Sequence, residues 1–295
     1  MRFSRVLLGL IVVGAAAGWL LSAPQPLTAA DIPDRSPDVA HGEQVFWAAG
    51  CASCHSVEDA SGDARLVLSG GRSFPSNFGT FYAPNISSDP QHGIGDWSEA
   101  DFLSAVMRGV SPDGRHYYPV FPYGTYAHAG ISDMQDLWAF LQTLPADATP
   151  SRPHDVGFPF SVRRGLGLWK RAFLNEDWVV DGSDLSPQVM RGRYLVEALG
   201  HCAECHTPRN ALGGLERANW LAGAPNPTGE GRIPGISPAH LNWTEADIAA
   251  YLGDGFTPDF DSAGGEMAEV ITNISQLPDA DRAAIAAYLR ALPGG

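Results

Sequence analysis

Two five-residue stretches constrain this chain more than anything else in it: Cys51-Ala52-Ser53-Cys54-His55 and Cys202-Ala203-Glu204-Cys205-His206. Together they use all 4 cysteines of the 295 residues, so no thiol is left over for a disulfide. In each, two thiols spaced to bond one porphyrin are followed by a histidine able to reach its iron, the pattern of covalent c-type haem attachment. Cys51, Cys54 and His55 then hold one haem c, and Cys202, Cys205 and His206 hold a second. His55 and His206 are the proximal metal ligands. The competing chemistry is a single all-cysteine zinc site built from both pairs. It fits less well: such sites gather their pairs within roughly 20 residues, whereas here the two motifs lie far apart in the chain. Zinc also leaves both histidines without a role.

The chain repeats itself. His41-Gly42-Glu43-Gln44-Val45-Phe46 leads into the first motif, and Arg191-Gly192-Arg193-Tyr194-Leu195-Val196 leads into the second at nearly the same distance. Downstream, Trp97-Ser98-Glu99-Ala100-Asp101-Phe102 matches Trp243-Thr244-Glu245-Ala246-Asp247-Ile248, and both copies continue to Gly-x-Ser/Thr-Pro-Asp at Gly109 and Gly255. Ser98 and Thr244 read as N-caps with an acidic residue three positions on. Each copy closes on a helical pattern that stops at Leu144-Pro145 or Leu292-Pro293, with apolar residues at three- and four-residue steps. The predicted fold is all-α: two tandem units, each similar to a small class I cytochrome c domain. The boundaries are 38–148 for the first, 149–185 for an interdomain strap and 186–295 for the second. The length suits this, since two domains of about 110 residues and a linker fill it.

Residues 1–30 stand apart. Arg2 and Arg5 precede an apolar run from Val6 to Leu21, which reads as a membrane anchor or a signal peptide with a cleavage position after Ala30. Pro24-Gln25-Pro26, a helix stop followed by a tether, favours the anchor. Either way the positive end stays cytoplasmic and the remainder is exported, which agrees with haem attachment on the export side of bacterial membranes. The expected location is the periplasmic side, anchored to the inner membrane. A net charge of −14 repels phosphates and argues against nucleic acid as a partner. The strap breaks this acidity with Arg163, Arg164, Lys170 and Arg171, predicted to pair with haem propionates; a solvated linker is the alternative. Phe158, Phe160, Leu166, Leu168, Trp169 and Phe173 argue that the strap packs.

A sixth iron ligand is expected from the loop before each closing helix. In the second unit this is Met267, after Gly264-Gly265-Glu266. His201 lies too close to His206 in the chain to cross the ring. The first unit has no methionine in the loop Arg115–Ala129. His128 takes the place nearer the closing helix and is the expected ligand, with His116, Met134, Met107 or a five-coordinate iron as alternatives.

The run Ala83-Pro84-Asn85-Ile86-Ser87, then Gly93-Ile94-Gly95-Asp96-Trp97 and Tyr118-Pro119-Val120-Phe121-Pro122-Tyr123, resembles the cytochrome c subunits of membrane-bound bacterial alcohol, aldehyde and gluconate dehydrogenases. Phe158-Pro159-Phe160 with Arg163-Arg164, Cys205-His206-Thr207-Pro208-Arg209-Asn210, and Met267 through Asn273 extend the likeness from Gly42 to Pro293. The resemblance implies an electron carrier that accepts electrons from a dehydrogenase donor and passes them to quinone or a terminal oxidase, with no catalytic residues of its own. It also implies that Arg209 lies near a haem propionate. Two departures matter. The alcohol dehydrogenase subunits carry three haem sites against two here, and relatives place methionine at Phe121 or near Ala129. The missing methionine keeps a rival in play, a haem enzyme (dihaem peroxidase or sulfur-compound dehydrogenase) working at an open first iron. A haem-based gas sensor would need an output domain, which the sequence lacks.

Overall fold

The computed structural model describes residues 2–227 and 231–293, the side chains of residues 2–4 and 8 excepted. Helix α1 (Arg2–Leu21) is followed by an extended stretch and the first unit: α2 (Val39–Ala48), α3 (Cys51–His55), α4 (Glu99–Arg108), α5 (Tyr123–Tyr126) and α6 (Ile131–Leu141). Helix α7 (Gly165–Phe173) lies in the strap. The second unit repeats the order: α8 (Pro187–Tyr194), running on as a π-helical turn over Leu195–Leu199, then α9 (Ala203–His206), α10 (Glu245–Asp254), α11 (Glu266–Ile274) and α12 (Asp279–Ala291). The helical framework matches the expectation. Two small antiparallel hairpins add to it, β1 (Ser73–Ser76) with β2 (Gly79–Tyr82), and β3 (Ala224–Pro225) with β4 (Arg232–Ile233). They sit in corresponding loops, where the chain must double back after each attachment histidine.

Each unit is built on a close helix crossing. A Cβ at Gly42 of α2 would overlap the Asp136 carbonyl on α6, and one at Gly192 of α8 would overlap the Ala284 carbonyl on α12. Only hydrogen fits at either contact, so the leading and closing helices meet backbone to backbone. Around the first crossing pack Val45, Phe46, Leu137, Phe140 and Leu141; around the second, Leu195, Val196, Ile285, Tyr288 and Leu289. Phe46 and Phe140 stand 5.3 Å apart, ring to ring. The buried side chains of both units form one continuous apolar cluster.

The middle helices start and stop as the duplicated sequence demands. Ser98 accepts from the Asp101 N–H and Thr244 from the Asp247 N–H, and both carboxylates reach back to the cap residue. Gly109 (φ 59°) and Gly255 (φ 79°) then end α4 and α10 in the left-handed region.

The strap packs against helix ends, and three of its cations cap them, while Arg163 lies over the Tyr118 ring. Arg164 donates to the Trp19 carbonyl (2.6 Å) and to Ser22 Oγ (3.0 Å), and Arg171 donates to the Leu21 carbonyl (2.5 Å). Lys170 donates to the carbonyls of Arg108 and Gly109 at 2.6 and 2.8 Å, and burial pushes its ammonium down to about 7. Carbonyls at a helix C-terminus carry partial negative charge and lack intrahelical donors, which draws cations to them. His116 Nε2 donates to the Ser22 carbonyl (2.9 Å), completing a socket for the end of α1. Trp169 donates to the Leu212 carbonyl and packs as predicted, but Phe158 stands 86% exposed, and Phe160 and Leu168 are each 45% exposed.

Between α1 and α2 the chain stays attached to the first unit: Leu27 exchanges backbone bonds with Ser104 Oγ, and Arg35 pairs with buried Asp136. Met1 and the side chains of Arg2, Phe3, Ser4 and Leu8, on which the anchor reading partly rests, lie outside the described residues. Among the described residues no helix is long and apolar enough to cross a membrane.

Gly42→Ala and Gly192→Ala are each expected to cost about 2–3 kcal/mol through overpacking at the crossings. Gly157→Ala, with open space around its backbone, should stay within about 0.5 kcal/mol. Thermal and denaturant unfolding of the three variants checks this.

Candidate functional site

The two motifs are held in the same way. Gly50, left-handed at φ 67°, turns the chain from α2 into Cys51–His55; Gly200 and His201 do so before α9. His55 Nδ1 lies 2.8 Å from the Pro84 carbonyl, and His206 Nδ1 lies 2.7 Å from the Pro234 carbonyl. A carbonyl only accepts, so both rings carry their proton on Nδ1 and leave the Nε2 lone pair free. Burial holds both imidazoles below their ordinary range, against the opposing pull of those carbonyls, so they are neutral at pH 7. A neutral imidazole, oriented by a bond from its other nitrogen, is what an iron ligand requires.

The surrounding loops repeat as well. The Gly70 and Gly223 N–H groups donate to the carbonyls of His55 and His206, each at 2.7 Å. Ile86 and Ile236 bond back to Leu68 and Leu221, both fully buried. Burial pushes the thiols of Cys51 and Cys202 up to about 12 and that of Cys54 up to about 11. All four cysteines are free. Among the described residues no group of three or more histidine, cysteine or acidic side chains converges to hold a metal ion. Two paired thiols beside a neutral imidazole with a free Nε2, twice over, fit covalent haem.

The motifs also abut each other. The Ala49 carbonyl, just before the first motif, accepts from His201 Nε2 (3.2 Å) and from the Tyr126 hydroxyl (2.8 Å). A Cβ on Gly50 would lie 3.4 Å from His201 Nε2. His201 is therefore a bridge between units. The third residue of each motif is gripped by the other unit's loop helix: Thr125 of α5 donates to Glu204 (3.3 Å), and Asn273 of α11 donates to Ser53 Oγ (2.5 Å).

The remaining predicted residues are placed as follows. Met267 is half-buried at the second position of α11 and packs against the core. Arg209 is bound by Glu204 of the second motif and by the Gly213 carbonyl at 2.6 Å. His128 stacks near Trp178, with ring centroids 5.2 Å apart, and its buried Nε2 has no partner. It opens on a cavity of about 60 Å³ whose other walls include Phe121, Tyr123, Glu204, Arg209 and Trp220, with no residue of Cys51–His55 among them. Met134 is core filling at 1% exposure, and His116 spends Nε2 on Ser22. Counting from the glycine caps gives a register. Tyr117 bonds to Gly109 just as Ala263 bonds to Gly255, so Phe121, four residues on, is the counterpart of Met267. The case for His128 therefore rests on its orphan nitrogen and not on register.

The two proline carbonyls were not anticipated from the sequence. Their signal was present in Pro84-Asn85-Ile86-Ser87 and Pro234-Gly235-Ile236-Ser237, a repeat as clear as the motifs themselves. Nor were Ser53, Arg65, Arg72, Glu266, Glu269 and Asn273, which meet only across the interface.

The cytochrome c family model matches residues 39–145 and 189–293. The chain is 55% identical to the "Diheme cytochrome c-type" protein of Cereibacter sphaeroides, over 97% of this chain and 96% of that one. It is 39% identical to the "Fructose dehydrogenase cytochrome subunit" of Gluconobacter japonicus over 87% of this chain and 53% of the relative. It is 34% identical to the "Gluconate 2-dehydrogenase cytochrome c subunit" of Pantoea cypripedii over 86% of this chain and 59% of the relative. The chain thus matches little more than half the length of these two dehydrogenase subunits.

Replacing Cys51 and Cys54 together by alanine is expected to leave one covalent haem per chain, and replacing Cys202 and Cys205 should do the same. Haem stoichiometry by pyridine haemochrome assay and intact mass reads the result. Two haems remaining in either variant would refute the assignment.

Proposed function

We propose that this chain, which belongs to the cytochrome c family and binds two haem c groups covalently, carries electrons from a dehydrogenase to the respiratory chain on the periplasmic side of the membrane. The observation that carries this reading is the contact between the two motifs. His201, just before Cys202, donates to the carbonyl of Ala49, two residues before Cys51, and its ring stands so near Gly50 that an added Cβ would lie 3.4 Å from Nε2. Bound there, haem c supplies one-electron exchange at iron. The protein would supply position: His55 and His206 would each hold one iron, and Met267 would be the second ligand of the second.

His128, through its unpartnered Nε2, is the proposed distal ligand of the first iron. Two imidazoles set a lower potential than imidazole with thioether, so the first centre lies below the second and the order of transfer runs from the first unit to the second. The donor reading draws on relatives named as cytochrome subunits of dehydrogenases. Quinone or a terminal oxidase is the proposed acceptor.

A redox titration is expected to resolve two potentials, with neither haem binding carbon monoxide or cyanide rapidly. His128→Ala should raise the lower potential and open that haem to carbon monoxide. Rapid ligand binding at one haem of the unaltered protein would instead favour the haem-enzyme reading.

We further propose that the N-terminal segment is retained and tethers the protein to the membrane. Arg5 and the apolar run after it support this, as do the side chains of Val6, Leu10 and Leu20, each at least 62% exposed. So does the socket made by Arg164, Arg171 and His116, which a cut after Ala30 would empty. Intact mass of protein extracted from membranes is expected to include residues before Ser22. A mature chain beginning at Asp31 would overturn the proposal.

A further inference from the structure

We infer that Arg65 and Arg72, two side chains of the first unit, are positioning residues for Met267, the distal ligand of the second. The inference rests on the reading of Met267 as that ligand and adds to it a cause for its placement.

Helix α11 carries Met267 but owes much of its hold to the other unit. Arg72 donates from Nη2 to both oxygens of Glu266, at 2.9 and 2.8 Å, and from Nη1 to the Ser53 carbonyl at 2.5 Å. Glu266 is the residue before Met267. One guanidinium thus ties the backbone between Cys51 and Cys54 to the neighbour of the second unit's ligand. Two residues beyond Met267, Glu269 accepts from Arg65 Nη1 at 2.7 Å. One turn further on, Asn273 accepts from Arg65 Nη2 at 2.7 Å and donates to Ser53 Oγ at 2.5 Å. Arg65 is 5% exposed and Asn273 1% exposed, so the bond between them lies where water does not compete for it and weighs more than a surface pair.

The first residues of α11 have little else to fix them. Gly264 and Gly265 precede the helix with open space around both, and Gly265 sits at φ 55° with no side-chain cap. A thioether is a weak neutral donor, so the geometry of its helix decides whether it stays within reach of iron. On the other side the second unit holds the first by different means: Thr125 donates to Glu204, which Arg209 of its own unit also binds, and the Tyr194 hydroxyl accepts from the Gly130 N–H.

The test uses the full-length dihaem protein and reads the near-infrared methionine–iron band as pH is raised. In Arg72→Gln the pH at which the band is lost is expected to fall by about one unit, a tenfold shift toward the displaced form. Glu266→Gln should shift it in the same direction, and Arg72→Lys, which keeps the charge without the fork, should recover only part of the change. Haem content and the first haem's spectrum should not move. Glu266 is 70% exposed at its side chain, so its variant folds even if an arginine variant does not. An unchanged midpoint in Glu266→Gln overturns the inference. Met267→Ala is measured alongside: if it keeps the band, the ligand assignment fails and the inference falls with it. If it loses the band while the other variants keep theirs, the positioning role alone fails.

Discussion

The approach of two helices without a side chain between them is the constraint on which the rest depends. At Gly42 and at Gly192 the leading helix touches the backbone of the closing helix, and the haem motif follows within two or three turns. Any Cβ there would lift α2 or α8 and carry the cysteines with it. In the first unit the crossing is reinforced by a carboxylate. Burial alone would raise the pKa of Asp136, but bonds from Arg35, the Asp38 N–H and His41 outweigh it and hold the group below the usual carboxylate range. The second unit uses Asp281 with Arg191. A buried carboxylate with several donors costs more to leave unpaired than it returns in net stability, and that penalty selects one register for the helices.

From a common scaffold the two units part company at the distal loop. Up to Tyr117 and Ala263 the bonds coincide. Beyond that point α11 runs nine residues and α5 only four, and Phe121 occupies the place of Met267. The first unit fills its loop with rings: Phe121 lies within 6.3 Å of Tyr117, Tyr123 and Tyr126. An aromatic cluster excludes water but offers no ligand. The only side chain nitrogen of that loop left buried without a partner, besides His116 Nδ1, is His128 Nε2 among the described residues.

What the sequence made legible follows from how local the cause was. The motifs, the capping boxes at Ser98 and Thr244, and the glycine stops at Gly109 and Gly255 each act within a few residues, and all could be read directly. The family was legible for the same reason. The helix-end partners of the strap's cations are not legible in the sequence because they are backbone carbonyls, which every residue carries and no composition reveals; Trp19, Leu21, Arg108 and Gly109 become acceptors only where helices end beside the strap. Phe158 is expected to pack because it is phenylalanine, yet of the strap's two neighbouring rings it is Phe160 that meets Phe78, at 4.9 Å. The contacts of Ser53 with α11 span more than two hundred residues of chain, and no periodicity announces them.

The same contacts bear on how the two centres share charge. If the units were joined by a solvated linker, a change of one electron at one iron would be screened by water and ions before reaching the other. Here the segment between them is built of Ala49, Gly50, His201, Asn273 and Arg65, with Arg65 and Asn273 almost wholly buried. In such a medium the interaction of two charges is several times that in water. Burial is the main cause that raises the thiols of Cys54 and Cys205, and the Glu266 carboxylate adds to the rise at each. Charge placed at one motif would therefore be felt at the other more strongly than across a solvated linker. That buried contact is what distinguishes these two haem-binding units from two domains on a flexible linker.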